Sequence, residues 1–153
     1  MIYKKTQIGW LLIGFVGATL LFLLIAYAAQ WGDRPIPLVP FLLIAALFVV
    51  VFLLFYQLTL EIRGSQLRII YGIGLIKIVL KIDELLSVEK IKTPWWYGLG
   101  IRITPKGMLY NIQGLKAVRI EYISKGEEKS VMVGTAEPEK LERILKETFG
   151  LKT

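Results

Sequence analysis

Two stretches of the chain lack any polar rhythm, and almost everything after them is rhythmic. No side chain in 6–31 is charged, and 8–29 is almost wholly apolar; a second uncharged run covers 35–60 and is densest over 38–55. At about 1.5 Å per residue, a helix over 8–29 reaches about 33 Å, against about 30 Å for the hydrocarbon core of a bilayer. Buried helices of soluble domains are usually shorter and carry a polar stripe, whereas lipid accepts apolar side chains all round but no unpaired backbone. The pattern therefore predicts two transmembrane helices, at about 8–29 and 36–57. The linker 30–37 is too short for a domain, so the pair forms an antiparallel hairpin, with Pro35 or Pro37 suited to a first helical turn. The first run also has the outline of a cleaved secretory signal, with Lys4 and Lys5 before an apolar core. That core is longer than usual and 26–29 is a weak cleavage pattern, so a retained helix is expected.

Beyond Leu60 the texture changes to short apolar segments separated by glycine turns. Strands are predicted at 59–62, 66–71, 75–80 and 85–91, then over 101–104, a segment broken at Pro105 and Gly107 and continued by 108–112. Two clearer strands follow at 118–123 and 131–133, around a polar turn at 124–128. The last run, 137–149, has helical spacing: Leu141, Ile144, Leu145 and Phe149 share one face, Pro138 opens it and Gly150 closes it. Thr135 is the expected N-cap. A flat sheet would expose two large faces, so these strands and the helix suggest a small, strongly bent sheet or open barrel, with the helix packed against it.

Charge gives the arrangement a direction. The chain has 153 residues, is 55% hydrophobic and carries a net charge of +7. Lys4 and Lys5 precede the first helix, Arg63 and Arg68 follow the second, and the hairpin loop balances Arg34 with Asp33. Positive residues near helix ends prefer the cytoplasm, so a multi-pass protein of the cell membrane is expected, with both termini and the strand domain cytoplasmic. Trp10, Tyr27, Trp31 and Tyr56 lie near helix ends, where amphipathic rings suit the headgroup level. Neither helix contains a charged or histidine side chain, so they read as attachment rather than as an ion or substrate path. The expected division is a membrane anchor over 1–60 and a strand domain over 61–153.

The order of segments in 61–153 resembles the bacterial PH-like domains of small two-helix membrane proteins. The resemblance is carried by Gly64, Ser65, Gln66, Leu67 and Arg68 before Tyr71, Gly72 and Gly74; by Ile82 through Val88; by Pro94, Trp95, Trp96, Tyr97, Gly98, Leu99, Gly100, Ile101 and Arg102; by Tyr110 through Gly114, followed by Ala117, Val118, Arg119 and Ile120; and by Gly134 through Leu141. It implies a bent seven-stranded sheet capped by a C-terminal helix. It does not bring phosphoinositide binding with it.

The most individual segment is 94–100. Pro94 restrains the chain, Gly98 and Gly100 permit unusual backbone angles, and three aromatic residues stand between them. Three readings stay open: a recognition loop anchored by Trp95 or Trp96, insertion into the bilayer interface, or plain packing of Trp95, Trp96 and Tyr97 over the sheet. Lys90, Lys92, Arg102 and Lys106 flank the loop and offer a cationic rim for anionic headgroups, but with Glu84 and Glu89 nearby a solvated, mixed-charge face is the expectation rather than a specific phosphoinositide pocket. Chemistry has little to work with. The chain has no His and no Cys, which removes the commonest general base and the thiolate nucleophile. Asp83 and Glu84 are adjacent rather than facing, and Gly72, Ile73 and Gly74 lack the setting of a nucleotide-binding loop. No cofactor or metal motif is present, and no nucleic-acid signature accompanies the basic charge. The expected role is a membrane-tethered, non-enzymatic binding or scaffolding protein that recognises a membrane protein or a second copy of itself. The alternative is sensing of anionic membrane lipid through Lys92, Trp95, Trp96, Tyr97, Arg102 and Lys106.

Overall fold

A computed structural model describes residues 2–151; residue 1 of the expected anchor and residues 152–153 of the expected strand domain lie outside the described residues. The two apolar runs fold as helices α1 (Trp10–Ala28) and α2 (Leu38–Phe55), slightly inside the expected ranges. Both are long and apolar enough to cross a membrane. They touch along one side only: Val16 and Ala26 are the buried residues of α1, and α2 has none. Near the hairpin loop Tyr27 stacks on Phe41 with ring centroids 4.5 Å apart, and Phe22 meets Trp31 edge to face at 6.0 Å. Pro37 sits at the N-cap of α2, just outside the first turn.

The largest departure from expectation precedes α1. Tyr3–Ile8 forms a strand, β1, which pairs antiparallel with β2 (Gln57–Arg63), placing Tyr3 opposite Ile62 and Ile8 opposite Gln57. The chain thus enters and leaves the helical hairpin through one strand pair, and position 60/61 falls inside β2. β3 (Gln66–Tyr71) and β4 (Ile76–Lys81) complete a four-stranded sheet of order β1-β2-β3-β4. The second sheet contains β5 (Glu84–Lys92), β6 (Gly100–Thr104), β7 (Gly107–Asn111), β8 (Lys116–Ser124) and β9 (Glu127–Gly134), in the order β5-β8-β9-β7-β6. Its pairs are antiparallel except β7 with β9.

Among the described residues there are therefore nine strands in two sheets that do not close into a barrel, rather than seven in one. One extra strand is β1. The other arises because the break at Pro105 is a hairpin turn, which makes 101–104 and 108–112 separate, paired strands. Between the sheets lies one apolar core, including Leu58, Leu60, Ile69, Tyr71, Ile120 and Val133. Helix α3 (Pro138–Phe149) lies on β5 and β8 and buries Leu141 and Leu145 completely, with Ile144 and Phe149 packed beside them. Complete burial of each leucine stabilises by about 2 kcal/mol before entropy. Thr135 is not its N-cap. Pro138 takes the first helical position, so Glu137 is the cap residue, and the Thr135 hydroxyl instead accepts the Glu137 N–H at 3.1 Å. Gly150 closes the helix in the left-handed conformation expected of it, with φ 80°.

Strand directions sort the turns onto two ends. Turns 72–75, 93–99, 112–115 and 135–137 lie at the end facing the helical hairpin; turns 64–65, 82–83, 105–106 and 125–126 lie at the opposite end. The helix-facing end is fastened tightly. The Gly72 N–H donates to the Gln57 carbonyl at 2.8 Å, the Gln57 amide returns a bond to the Gly72 carbonyl at 3.0 Å, and the Ile73 N–H donates to the Leu53 carbonyl of α2 at 3.1 Å. Gly72 has φ 54°, and a Cβ there would run into the carbonyl oxygens of Leu53 and Leu54. Across the hairpin, the Trp10 N–H at the start of α1 donates to the Gln113 side chain at 3.2 Å. Gln7 of β1 spans to the far sheet, donating to the Gly134 carbonyl at 3.0 Å and accepting the Ala136 N–H at 2.9 Å.

Candidate functional site

β5 and β6 occupy opposite edges of the second sheet, so the connection 93–99 has to pass β8, β9 and β7. Both of its feet are held at the helix-facing end. Thr93 donates its N–H and its hydroxyl to the Leu115 carbonyl, at 2.7 and 3.2 Å, while Gly100 pairs with Asn111 and its carbonyl accepts the Tyr71 hydroxyl at 3.4 Å. Between them Pro94 starts a 3₁₀ turn, Trp95–Tyr97, that Gly98 ends with φ 70°. Pro94 supplies the fixed φ of a turn entrance, and Gly98 adopts an angle that a side chain would strain.

Beneath this crossing lie Leu109 and Met132, paired across β7 and β9 and fully buried although they stand outside the main core. Tyr97 is half-buried, and with Pro94, Ile91 and Met132 it lines a depression of about 320 Å³. Trp95 and Trp96 behave differently: they are 77% and 68% exposed and contact each other edge to face at 5.9 Å. Packing over the sheet thus describes Tyr97 and fails for both tryptophans.

The basic residues separate into two groups. Lys92 and Lys106 line the depression together with Arg119 of β8. Arg102 lies across the loop, its Nε donating to the Leu99 carbonyl at 3.3 Å, beside a crevice that reaches Leu12 of α1 and Phe55 of α2. Lys90 does not join either group, because it reaches Glu142 of α3 at 4.0 Å. Among the described residues no acidic side chain forms an ion pair with Lys92, Arg102 or Lys106. Arg119 meets Glu89 at 3.7 Å, and its Nε is buried without a hydrogen-bond partner. Sequence reasoning missed Arg119 because it alternates outward on a strand opposite Glu89 and reads as a solvated face; only the loop crossing above it makes it part of a site.

Other turns on the helix-facing end share the apolar character of this loop. Leu75 is 72% exposed, and Ile73 and Leu115 are exposed as well. The fourth turn at this end, 135–137, is polar and tied down: Lys5 donates to Glu137 Oε1 at 3.0 Å, and Lys140 stands 3.8 Å from Oε2. The hydrogen bond from Lys5 is the main reason that the Glu137 carboxyl is held below its ordinary pKa. At the opposite end, by contrast, the turns present Gly64, Ser65, Asp83, Lys125 and Gly126, and Asp83 accepts the Lys125 N–H at 2.7 Å. Among the described residues no group of three His, Cys, Asp or Glu side chains is placed to hold a metal ion. No family model, no curated protein and no solved structure matches the chain.

Proposed function

We propose that this chain is a membrane-tethered, non-enzymatic binding module that α1 and α2 hold in a bilayer and whose strand domain rests its helix-facing end on an anionic lipid surface. The supporting observation is the exposed Trp95–Trp96 pair, on a loop tied down at the end where the two helices leave the sheet. Tryptophan suits the boundary between hydrocarbon and water, since its ring is apolar and its N–H still finds a partner. The cations Lys92 and Arg102 stand at the same loop without acidic partners among the described residues, and each such charge adds about 1 kcal/mol of attraction to an anionic leaflet; Lys106 lines the depression from the turn at the opposite end and is no part of this contact. On this reading both termini and the strand domain are cytoplasmic, as the lysines and arginines flanking the helices favour. We read the strand domain as PH-like, on its two packed sheets, its capping helix and the order of its segments.

The test uses the full chain, because β1 precedes the helices and an excised 61–153 fragment would lose an edge of the first sheet. With Trp10→Phe and Trp31→Phe in place, Trp95 and Trp96 are the remaining tryptophans. In phosphatidylcholine nanodiscs carrying shallow brominated lipid, their emission should be quenched, and more strongly when phosphatidylglycerol is added. Lys92→Gln should reduce that increment. Unquenched emission typical of water-exposed tryptophan would overturn the proposal.

Recognition of a membrane protein or of a second copy has an observation of its own. β6 is an edge strand, and its Ile103 is 87% exposed. A free edge with an apolar side chain is a template for strand addition. Cross-linking from Ile103→Cys in native membranes should then yield a reproducible adduct with one partner, and its absence would remove this second reading.

A further inference from the structure

The crevice beside Arg102 has a composition unlike the basic depression on the other side of the loop. It holds about 300 Å³ and is lined by Leu12, Phe55, Leu99, Ile101, Ile112 and Arg102, together with Asn111, whose side-chain amide is already engaged with the Gly114 carbonyl and the Ile112 N–H. Leu12 belongs to the first turn of α1 and Phe55 ends α2, so the opening lies at the junction of helices and strands. The Phe55 wall is braced from behind. Phe55 packs edge to face on Tyr71 at 5.6 Å, and the Tyr71 hydroxyl donates to the Asn111 carbonyl at 3.3 Å, its pKa raised chiefly by burial. On the helix side Gly9 keeps the wall thin, since a Cβ there would stand 2.9 Å from Ile112 Cγ1.

From this geometry we infer a specific lipid site: the crevice takes the upper part of an acyl chain of an anionic phospholipid, whose phosphate sits on the Arg102 guanidinium. The apolar walls select hydrocarbon and leave few polar contacts for a soluble metabolite, while a pocket of this size is at the lower limit for a bound small molecule. Position supplies the hydrocarbon, because the opening meets the two helices where they would enter a bilayer. Charge supplies the preference. Arg102 forms no ion pair among the described residues, and a guanidinium presents paired donors that match a phosphate. The inference rests on the bilayer-seated reading above and adds to it one bound lipid, as distinct from a general attraction to the surface.

The experiment reconstitutes the full chain into nanodiscs of phosphatidylcholine and phosphatidylglycerol, transfers it to mild detergent and weighs the retained lipid by native mass spectrometry. Seating on the bilayer is read separately from a nitroxide on Leu75→Cys, remote from the crevice. The expected result is about one retained phosphatidylglycerol per chain, preferred over phosphatidylcholine by roughly fivefold, the weight of one surface cation. Arg102→Gln, a change to an exposed side chain, should abolish the preference while leaving some lipid bound. Leu99→Trp should fill the crevice and lose both lipids. Neither variant should alter the Leu75 label. Retained lipid that merely mirrors the nanodisc composition, or an unchanged preference in Arg102→Gln, would refute the site while the Leu75 label still reported seating. A label in water would refute the underlying reading instead.

Discussion

The two ends of the strand domain are built from the same strands and finished in opposite ways. At the opposite end the connections are short, polar and rich in glycine, the ordinary solution where backbone meets water. At the helix-facing end, three of four turns put large apolar side chains outward: Ile73 and Leu75, Trp95 and Trp96, and Leu115. Exposed apolar residues scattered singly need no explanation, but their concentration around the roots of two uniformly apolar helices does. The difference supports the proposed seating, in which the strand domain and the helical hairpin meet one and the same boundary. β1 and β2 hold the hairpin at a fixed place on that end, and the turns extend its apolar surface sideways.

The strongest perturbation should destroy both ends together. Leu145→Asp puts a carboxylate into a fully buried position of α3, and a loss of at least about 3 kcal/mol is expected, enough to abolish cooperative thermal unfolding of the detergent-solubilised chain by circular dichroism. The next change should separate the ends. Gly64 and Gly72 have nearly equal φ, 55° and 54°, but a Cβ meets nothing at Gly64 and the α2 carbonyls at Gly72. Gly64→Ala should cost about 1 kcal/mol and Gly72→Ala about 3 kcal/mol, because only the second must also pry a turn off α2. Denaturant midpoints of the two variants give the ratio. Replacing both Trp95 and Trp96 by Ser should move stability by no more than about 0.5 kcal/mol, yet loosen bilayer contact as read by a spin label at Leu99→Cys. A large loss of stability would mean that the tryptophans are core.

The smallest effect concerns the one polar turn of the helix-facing end. A carboxyl whose folded pKa is depressed stabilises above its unfolded value, near 4.3 for Glu, and that contribution disappears as pH falls through the folded value. Lys5 lowers the Glu137 value in this way. Thermal midpoints of the native chain should therefore fall more steeply below about pH 4 than those of Glu137→Gln, with a modest difference because the pair is open to solvent screening.

Much of the fold was legible because each signal was local. Uninterrupted apolar side chains marked α1 and α2 to within two residues at each end, and alternation between glycine turns located β3 to the residue. α3 announced itself through Leu141, Leu145 and Gly150. The failures share a cause. β1 carries Lys4, Lys5, Thr6 and Gln7, and its inward face holds Tyr3 and Gln7, so no apolar alternation betrays it; Gln7 belongs inside only because Gly134 and Ala136 of a distant segment bond to it. Thr135 looked like a cap until Pro138 fixed where the helix begins. Of the candidate site, the exposed tryptophans, Lys92 and Lys106 were in reach of sequence. The gathering of Arg119 beneath the loop and the departure of Arg102 to a separate crevice depend on strand order, which no local pattern encodes.

The central claim is that the helix-facing end touches lipid and the other end touches water. The chain contains no cysteine, so single nitroxides can be placed without background, on Leu75→Cys and Leu115→Cys at one end and on Ser65→Cys and Lys125→Cys at the other. In phosphatidylcholine and phosphatidylglycerol nanodiscs, the first pair should be relaxed by oxygen and shielded from a water-soluble nickel chelate, and the second pair should show the reverse. Equal nickel accessibility at all four positions would contradict the account.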